Sequence, residues 1–465
     1  MIIRNAKWAS ICIRFSLIGI AAFHISLTNS WASSPNNSLT ISTDTEYNSS
    51  NETSWLNKID THWGGRFKII GSVSNANNDT IFAPVETGTF YDGSADFRLI
   101  NETFFSEWGY FETHYEAIIA GGDTRRNREK LRSFFPNFPE QPLFLGAPLN
   151  DDTRLMDLSW TIHKDDKKII FHRFDRLFFE LLPDWGSIRI GRQAITWGNG
   201  MIFNPMDLFN PFPPTEIDRD YKVGDDMVNA QIVYPNFGDL QLLYVIRRDP
   251  NDDEVKKNTT SLAAKFHFST GTTELDVMGS KHYDDWVVGV GSTGYLGDAA
   301  WRLDATWTFQ DDPSDESPNS YLSLVANMDY SWIWWSKNFY GFIEYFFNGL
   351  GENDYPQALL NRDITERLQR GELFVLGKNY LSGTLQVELH PLFNVFFTVI
   401  NNTKDPSGIL QPRATWDITQ NLQMTVGANI FYGDNGSEFG GFIIPGTDIR
   451  SRTPDNAYLW FNYYF

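Results

Sequence analysis

Apolar and polar residues alternate with a period of two through most of this chain. Trp301, Leu303, Ala305, Trp307 and Phe309 interleave with Arg302, Asp304, Thr306 and Thr308. Leu422, Met424, Val426, Ala428 and Ile430 interleave with Gln423, Thr425 and Asn429. This is the rhythm of strands with one apolar and one polar face. After the first 32 residues no continuous apolar run reaches the ~20 residues of a spanning helix. Two architectures remain, a soluble sandwich and a closed barrel whose backbone groups are all satisfied between strands. Aromatic residues cluster near the strand ends, as they do at the two interfaces of a membrane barrel. Connections alternate between short and long, which a sandwich has no reason to do. The pattern predicts an all-β fold: a transmembrane, antiparallel, up-and-down β-barrel.

Strands are expected near 66–75, 94–104, 108–119, 169–182, 186–195, 226–234, 239–248, 259–268, 272–282, 285–292, 299–309, 320–333, 338–348, 376–389, 392–402, 408–417, 421–431 and 456–465. The expected number is about 18, with about 16 as the alternative, since bacterial single-chain barrels have even counts. Tight links at 106–108, 183–186, 235–239, 269–271, 335–337, 390–391 and 418–421, with the Gly-rich 292–298, would be periplasmic turns. The longer links 120–168, 196–225, 349–375 and 432–455 would then be extracellular, and both termini periplasmic. Residues 61–465 would form this single barrel. Residues 457–465 alternate and end at Phe465. This resembles the signal by which the barrel assembly machinery of Gram-negative bacteria recognises its clients.

Residues 1–32 are expected to be a secretory signal peptide. Arg4, Lys7 and Arg14 precede an apolar stretch from Phe15 to Leu27, and Ser30-Trp31-Ala32 is a small-x-small cleavage site. Residues 33–60 are expected to be a flexible polar lead-in. The whole chain has 465 residues, 58 acidic and 38 basic, for a formal charge of −20. Losing the signal would leave 35 basic residues and a charge of −23. That balance excludes the broad basic footprint of a nucleic-acid binder. The single cysteine, Cys12, excludes a disulfide framework and a Cys-based zinc site.

If the apolar positions face lipid, their neighbours line a pore. The expected lining includes Arg66, Lys68, Asp96, Arg98, Glu112, His114, Glu116, Arg176, Glu180, Arg189, Gln193, Arg302, Asp304 and Arg413. The two signs are mixed, so net charge does not decide ion preference. Two stretches break the alternation. His172, Arg173, Asp175 and Arg176 cannot all face inward: either this part of the strand stands above the membrane or a bulge turns it. The same two alternatives apply to Arg192, which is out of phase with Arg189 and Gln193.

The 186–226 segment is unlike a barrel hairpin. A strand ends at Gly198–Gly200, and a Pro- and aromatic-rich stretch follows. It is too apolar for a solvated loop and too Pro-rich for a strand. It is expected to fold back into the barrel mouth as a constriction. Phe203, Phe209 and Phe212 would be buried, and Trp197, Asn204, Asp207, Asn210, Asp218, Arg219 and Asp220 would form the constricting set, its polar members meeting the lumen wall. The run Gly191-Arg192-Gln193, then Trp197-Gly198, Asn204-Pro205 and Asp207, resembles a motif of porin-like outer-membrane barrel families of proteobacteria. The resemblance implies a barrel of this broad kind and names no solute.

Two loop helices are expected, at 123–132 with Asp123 as N-cap and at 363–370 with a capping box of Asp363 and Glu366. Their bases could meet lipopolysaccharide phosphates. Asp249, Asn251 and Asp253 are spaced like the start of a calcium loop, but Glu254 stands where the glycine belongs. No H-E-x-x-H or G-x-S-x-G motif occurs. His114 between Glu112 and Glu116 is the one catalytic candidate. The expectation is therefore not an enzyme, with no cofactor and no metal. It is a porin-like channel of the outer membrane for small hydrophilic solutes, in contact with lipid and lipopolysaccharide. The alternatives are a non-conducting scaffold or polymer-export barrel with periplasmic partners and, last, an outer-membrane enzyme.

Overall fold

The alternating segments form strands that close on themselves. A computed structural model describes residues 59–135, 151–209, 211–215 and 221–465. The expected signal peptide and most of the lead-in lie outside the described residues. The strands are β1 (Ile59–Ala76), β2 (Gly88–Phe105), β3 (Gly109–Gly122), β4 (Ser159–Lys164), β5 (Lys168–Leu181), β6 (Gly186–Gln193), β7 (Asp225–Tyr234), β8 (Gly238–Val245), β9 (Ser261–Thr270) and β10 (Thr273–His282). They continue with β11 (Asp285–Leu296), β12 (Ala299–Phe309), β13 (Ser320–Trp334), β14 (Lys337–Asn348), β15 (Asn379–His390), β16 (Phe393–Asn402), β17 (Ser407–Asp417), β18 (Leu422–Tyr432) and β19 (Asp455–Tyr464). β1 begins inside the stretch expected as lead-in.

Each strand pairs antiparallel with the next, except that β3 passes over β4 to pair with β5. β19 closes on β1 from Arg66↔Tyr464 to Asn75↔Asp455. The result is a closed antiparallel barrel of 18 strands, the expected number. β4 is an addition that sequence reading missed. It pairs with the upper part of β5, at Arg173–Ile169, beyond the point where β6 has ended. The eight links expected as periplasmic turns all fall at one end, while the long loops fall at the other, together with the short β10–β11 (283–284) and β16–β17 (403–406) turns. At the β13–β14 turn Trp335 and Ser336 have φ of 48° and 57°, the pair of left-handed residues that a tight type I′ hairpin requires.

The burial pattern is that of a membrane barrel and not of a soluble protein. On β1, Arg66 and Lys68 are each 4% exposed while the intervening Phe67 and Ile69 are 40% and 48% exposed. Apolar side chains cover the outside, and charged ones are sequestered within. Among the described residues no helix is long and apolar enough to cross a membrane.

Both breaks in the alternation have a local cause. The β3–β5 register shifts between His114↔Arg176 and Tyr115↔Phe174, which leaves Asp175 as an extra residue. This bulge resets the parity. Ile169, Phe171, Arg173 and Asp175 are buried above it, and Arg176, Phe178 and Glu180 below it. Arg192 lies directly opposite Leu177 and Asp226, on the outward phase. It is buried because residues 151–158 cover the wall there. Its guanidinium donates to both oxygens of Asp151, to Asp226 and to the Met156 carbonyl.

The loop helices form with different caps from those expected. α1 (Asp123–Phe134) follows Gly122, with Asp123 inside its first turn. α2 spans Tyr355–Ala358. α3 (Arg362–Arg370) is capped by Asn361, whose side chain accepts from the amides of Asp363 and Ile364. Asp363 is turned to Ser314 instead, accepting from its backbone amide at 2.9 Å.

Candidate functional site: the barrel interior and its inner loop

The strands place the expected lining residues on the inward phase, where eight pair with one another, as Arg66–Asp96, Arg98–Glu116, Glu112–His114 and Glu180–Arg189. On β1 and β2, Arg66 donates to Asp96 at 3.0 Å, and Lys68 sits 4.4 Å from the Trp460 ring centre. Arg98 donates to Glu116 at 2.7 Å and to Asp175 at 2.8 Å, and Arg173 donates to Glu116 at 2.6 Å. His114 contacts Glu112 at 2.9 Å, and Tyr110 donates to Glu112 at 2.7 Å. Lower on the wall Arg189 donates to Glu180, and Arg302 to Asp329. Gln193 donates to the Met227 carbonyl, and Arg413 lies over the Phe396 ring. The bulge at Asp175 draws Arg98, Arg173 and Arg176 toward two carboxylates. A buried charge is tolerated only when paired and hydrogen-bonded, and this cluster meets that condition.

The described parts of the 194–224 loop lie inside the barrel and touch the wall at many points around it. Trp197, Met206 and Phe209 pack on Met227, Leu243, Val245, Ala263, Met278 and Val287, inward apolar residues of β7 to β11. The Trp197 indole donates to Gln241 on β8 at 2.7 Å. The Asn199 side chain donates to Asp304 on β12 at 2.9 Å. The amides of Met201, Ile202 and Phe203 all donate to Glu344 on β14, at 2.6, 3.1 and 2.8 Å. Phe203 stacks on Phe346 with ring centres 4.4 Å apart, next to Tyr380 on β15. The Thr215 carbonyl accepts from Gln411 on β17. Tyr221 lies under Arg98 and Arg66, 4.2 and 5.0 Å from its ring centre. Lys222 then presents its carbonyl to Arg176 on β5.

Two residues expected to meet the wall brace the loop itself. Asn204 donates to the Trp197 carbonyl at 2.8 Å. Asp207 receives the Lys222 ammonium on both oxygens at 2.7 Å. The reason is local: the proline-rich stretch leaves few backbone bonds, so side chains fold the loop. Burial pushes the Asp207 carboxyl up to about 6 against the pull of Lys222, and pulls the Lys222 ammonium down. Phe203 and Phe209 are buried, and Phe212 is half-buried. Asn210, Asp218, Arg219 and Asp220 lie outside the described residues.

A second loop, 349–378, carries α2 and α3 and packs Leu350, Tyr355, Ile364, Leu368 and Leu376 against Phe442. It meets the first loop through His282, whose ring contacts Glu372 at 3.2 Å and Phe209 edge-on at 5.4 Å. Glu438 ties this loop down, accepting from the Leu376 amide, Tyr380 and Asn402. Among the acidic loop residues, Lys256 binds Asp249 and Asp252.

Sequence reading did not foresee Glu344 as a loop anchor, Lys222 as the partner of Asp207, or Tyr221 under two guanidiniums. Glu344 was legible only as one more inward carboxylate, because its partners are backbone amides more than 140 positions away.

Solved structures with this architecture exist. OccAB3 of Acinetobacter baumannii aligns with a TM-score of 0.50 at 8% identity, over 87% of this chain and 99% of that one. The fold is that of an Occ porin. OccAB1 of the same organism also gives 0.50, at 6% identity over 87% of this chain and 96% of that one. A BenF-like porin from Pseudomonas fluorescens Pf-5 gives 0.49 at 9% identity, over 87% and 98%. No protein-family model and no curated protein sequence matches the chain. At such identities the likeness is one of porin fold alone.

Proposed function

We propose that this protein is an outer-membrane channel for small hydrophilic solutes, narrowed by the 194–224 loop. The observation that carries the reading is the inversion of burial, charges inside and apolar side chains outside, in a closed barrel with a loop fixed across its interior. An 18-stranded wall encloses more space than its own side chains can fill. Charged side chains that line a passage bias which solutes enter. The porin fold supports the same reading. The short-turn end would face the periplasm and the long loops the exterior, with lipid and lipopolysaccharide around the aromatic girdles. Phe465 would be read by the barrel assembly machinery. His114 is committed to Glu112, Arg98 and Tyr221, which favours a structural role over catalysis.

Reconstitution in planar bilayers tests the proposal. The expected result is stepwise conductance that rises when residues 201–216 are deleted. Silence of both forms would overturn it.

A further inference from the structure

Inward carboxylates of this barrel are typically matched by guanidinium groups: Glu116 and Asp175 by Arg98, Glu180 by Arg189, Asp329 by Arg302. Glu344 departs from this rule. It is 1% exposed, and among the described residues no cation pairs with it. Its strand neighbours in register, Asn327 and Ser382, are neutral. Its four donors are the Met201, Ile202 and Phe203 amides and the Asn327 side chain, which also donates to the Asn199 carbonyl. Three consecutive amides converging on one anion form a backbone nest. A buried carboxylate without a cation is costly unless such donors satisfy it. The wall glutamate and the loop turn therefore each complete the other. Phe203, at the end of the nest, stacks on Phe346, two residues from Glu344 on the same strand face. On the side of the turn nearer β6, Asp304 accepts from the Asn199 amide and side chain.

We propose that Glu344 is the positioning residue of the constriction: its carboxylate holds the 201–203 turn against β14 and so sets the largest solute that passes. This rests on the channel reading. Glutamine at 344 has nearly the same shape but replaces one acceptor oxygen by an NH2 that faces an amide donor. Aspartate keeps the charge and loses the reach of one methylene.

The test combines backbone hydrogen exchange with liposome swelling in uncharged oligosaccharides of increasing length, so that loss of a lumen charge does not itself alter entry. In Glu344→Gln the 199–209 segment should exchange at least about tenfold faster, equivalent to about 1.4 kcal/mol of lost anchoring, while the strands exchange as before. The size limit should rise. Glu344→Asp should change both readouts in the same direction. Glu388→Gln, which removes a carboxylate bonded to Asn338 on the wall, should change neither. Unchanged exchange in both position-344 variants would overturn the inference, as would faster exchange with an unaltered size limit. In either case entry of the small sugars would leave the channel reading standing. Exclusion of every sugar by all forms would overturn the channel reading, and this inference with it.

Discussion

Arg98 shows how much one side chain can hold in this interior. It is 2% exposed, bonds Glu116 and Asp175 and lies over Tyr221 of the inner loop. Removing one partner from such a cluster leaves uncompensated buried charge. Arg98→Met should therefore destabilise the barrel by about 3–5 kcal/mol, read as a shift in the urea midpoint of the micelle-bound protein. The inward orientation of Arg98 was legible from the alternation alone. Its partners were not, because Asp175 becomes inward only through the bulge. The sequence carries that bulge as an anomaly, four polar residues crowded over five positions. It does not say which residue is the extra one. Asn361 was missed as a cap for a different reason. Asp363 and Glu366 mimic a capping box, while the residue that meets the helix amides stands two positions earlier.

At the scale of elements, the strands were legible and the inner packing of the loops was only partly so. Long alternating runs such as β12 and β18 fall where the sequence places them. β4 was missed because its six residues are short and mostly exposed, which leaves no face to imprint an apolar rhythm. Loop 196–225 announced its burial by composition, since prolines and phenylalanines without strand rhythm need a dry setting. Loop 349–378 gave less notice. It is held partly by Glu372, whose ionisation burial opposes. The charges of His282, Arg370 and Arg367 outweigh burial and bring the carboxyl to about 2. A folded value below the ordinary 4.5 means that the folded loop binds fewer protons than the released one. The stabilisation is thus fully present above about 4.5 and is lost as pH falls toward about 2. Hydrogen exchange of 349–378, corrected for intrinsic rates, should accelerate across that window. Glu372→Gln should flatten the dependence.

For the whole molecule, the two faces of one strand belong to different solvents. Ile343 is 56% exposed at the middle of β14, and its neighbour Glu344 is buried within. Ile343→Lys should cost about 2–4 kcal/mol in lipid vesicles, the price of a lysine at the bilayer midplane, measured by reversible urea unfolding. A smaller cost in detergent micelles would be expected from their looser packing. The closure of β19 on β1 joins the two ends of the described chain, and the loop anchors bridge intermediate spans. The Asn199–Asp304 contact crosses 105 positions, Met201–Glu344 crosses 143 and Thr215–Gln411 crosses 196. Contacts between distant parts of a chain are slow to form. Three receptors of the loop, Asp304, Glu344 and Gln411, sit on strands made long after the loop itself. Its Tyr221–Lys222 end meets strands that precede it, but the 199–203 turn and Thr215 reach their seats only when β12 to β17 have curled round to meet them. Seating of the 199–203 turn is therefore a late event of assembly, which follows the completion of the wall.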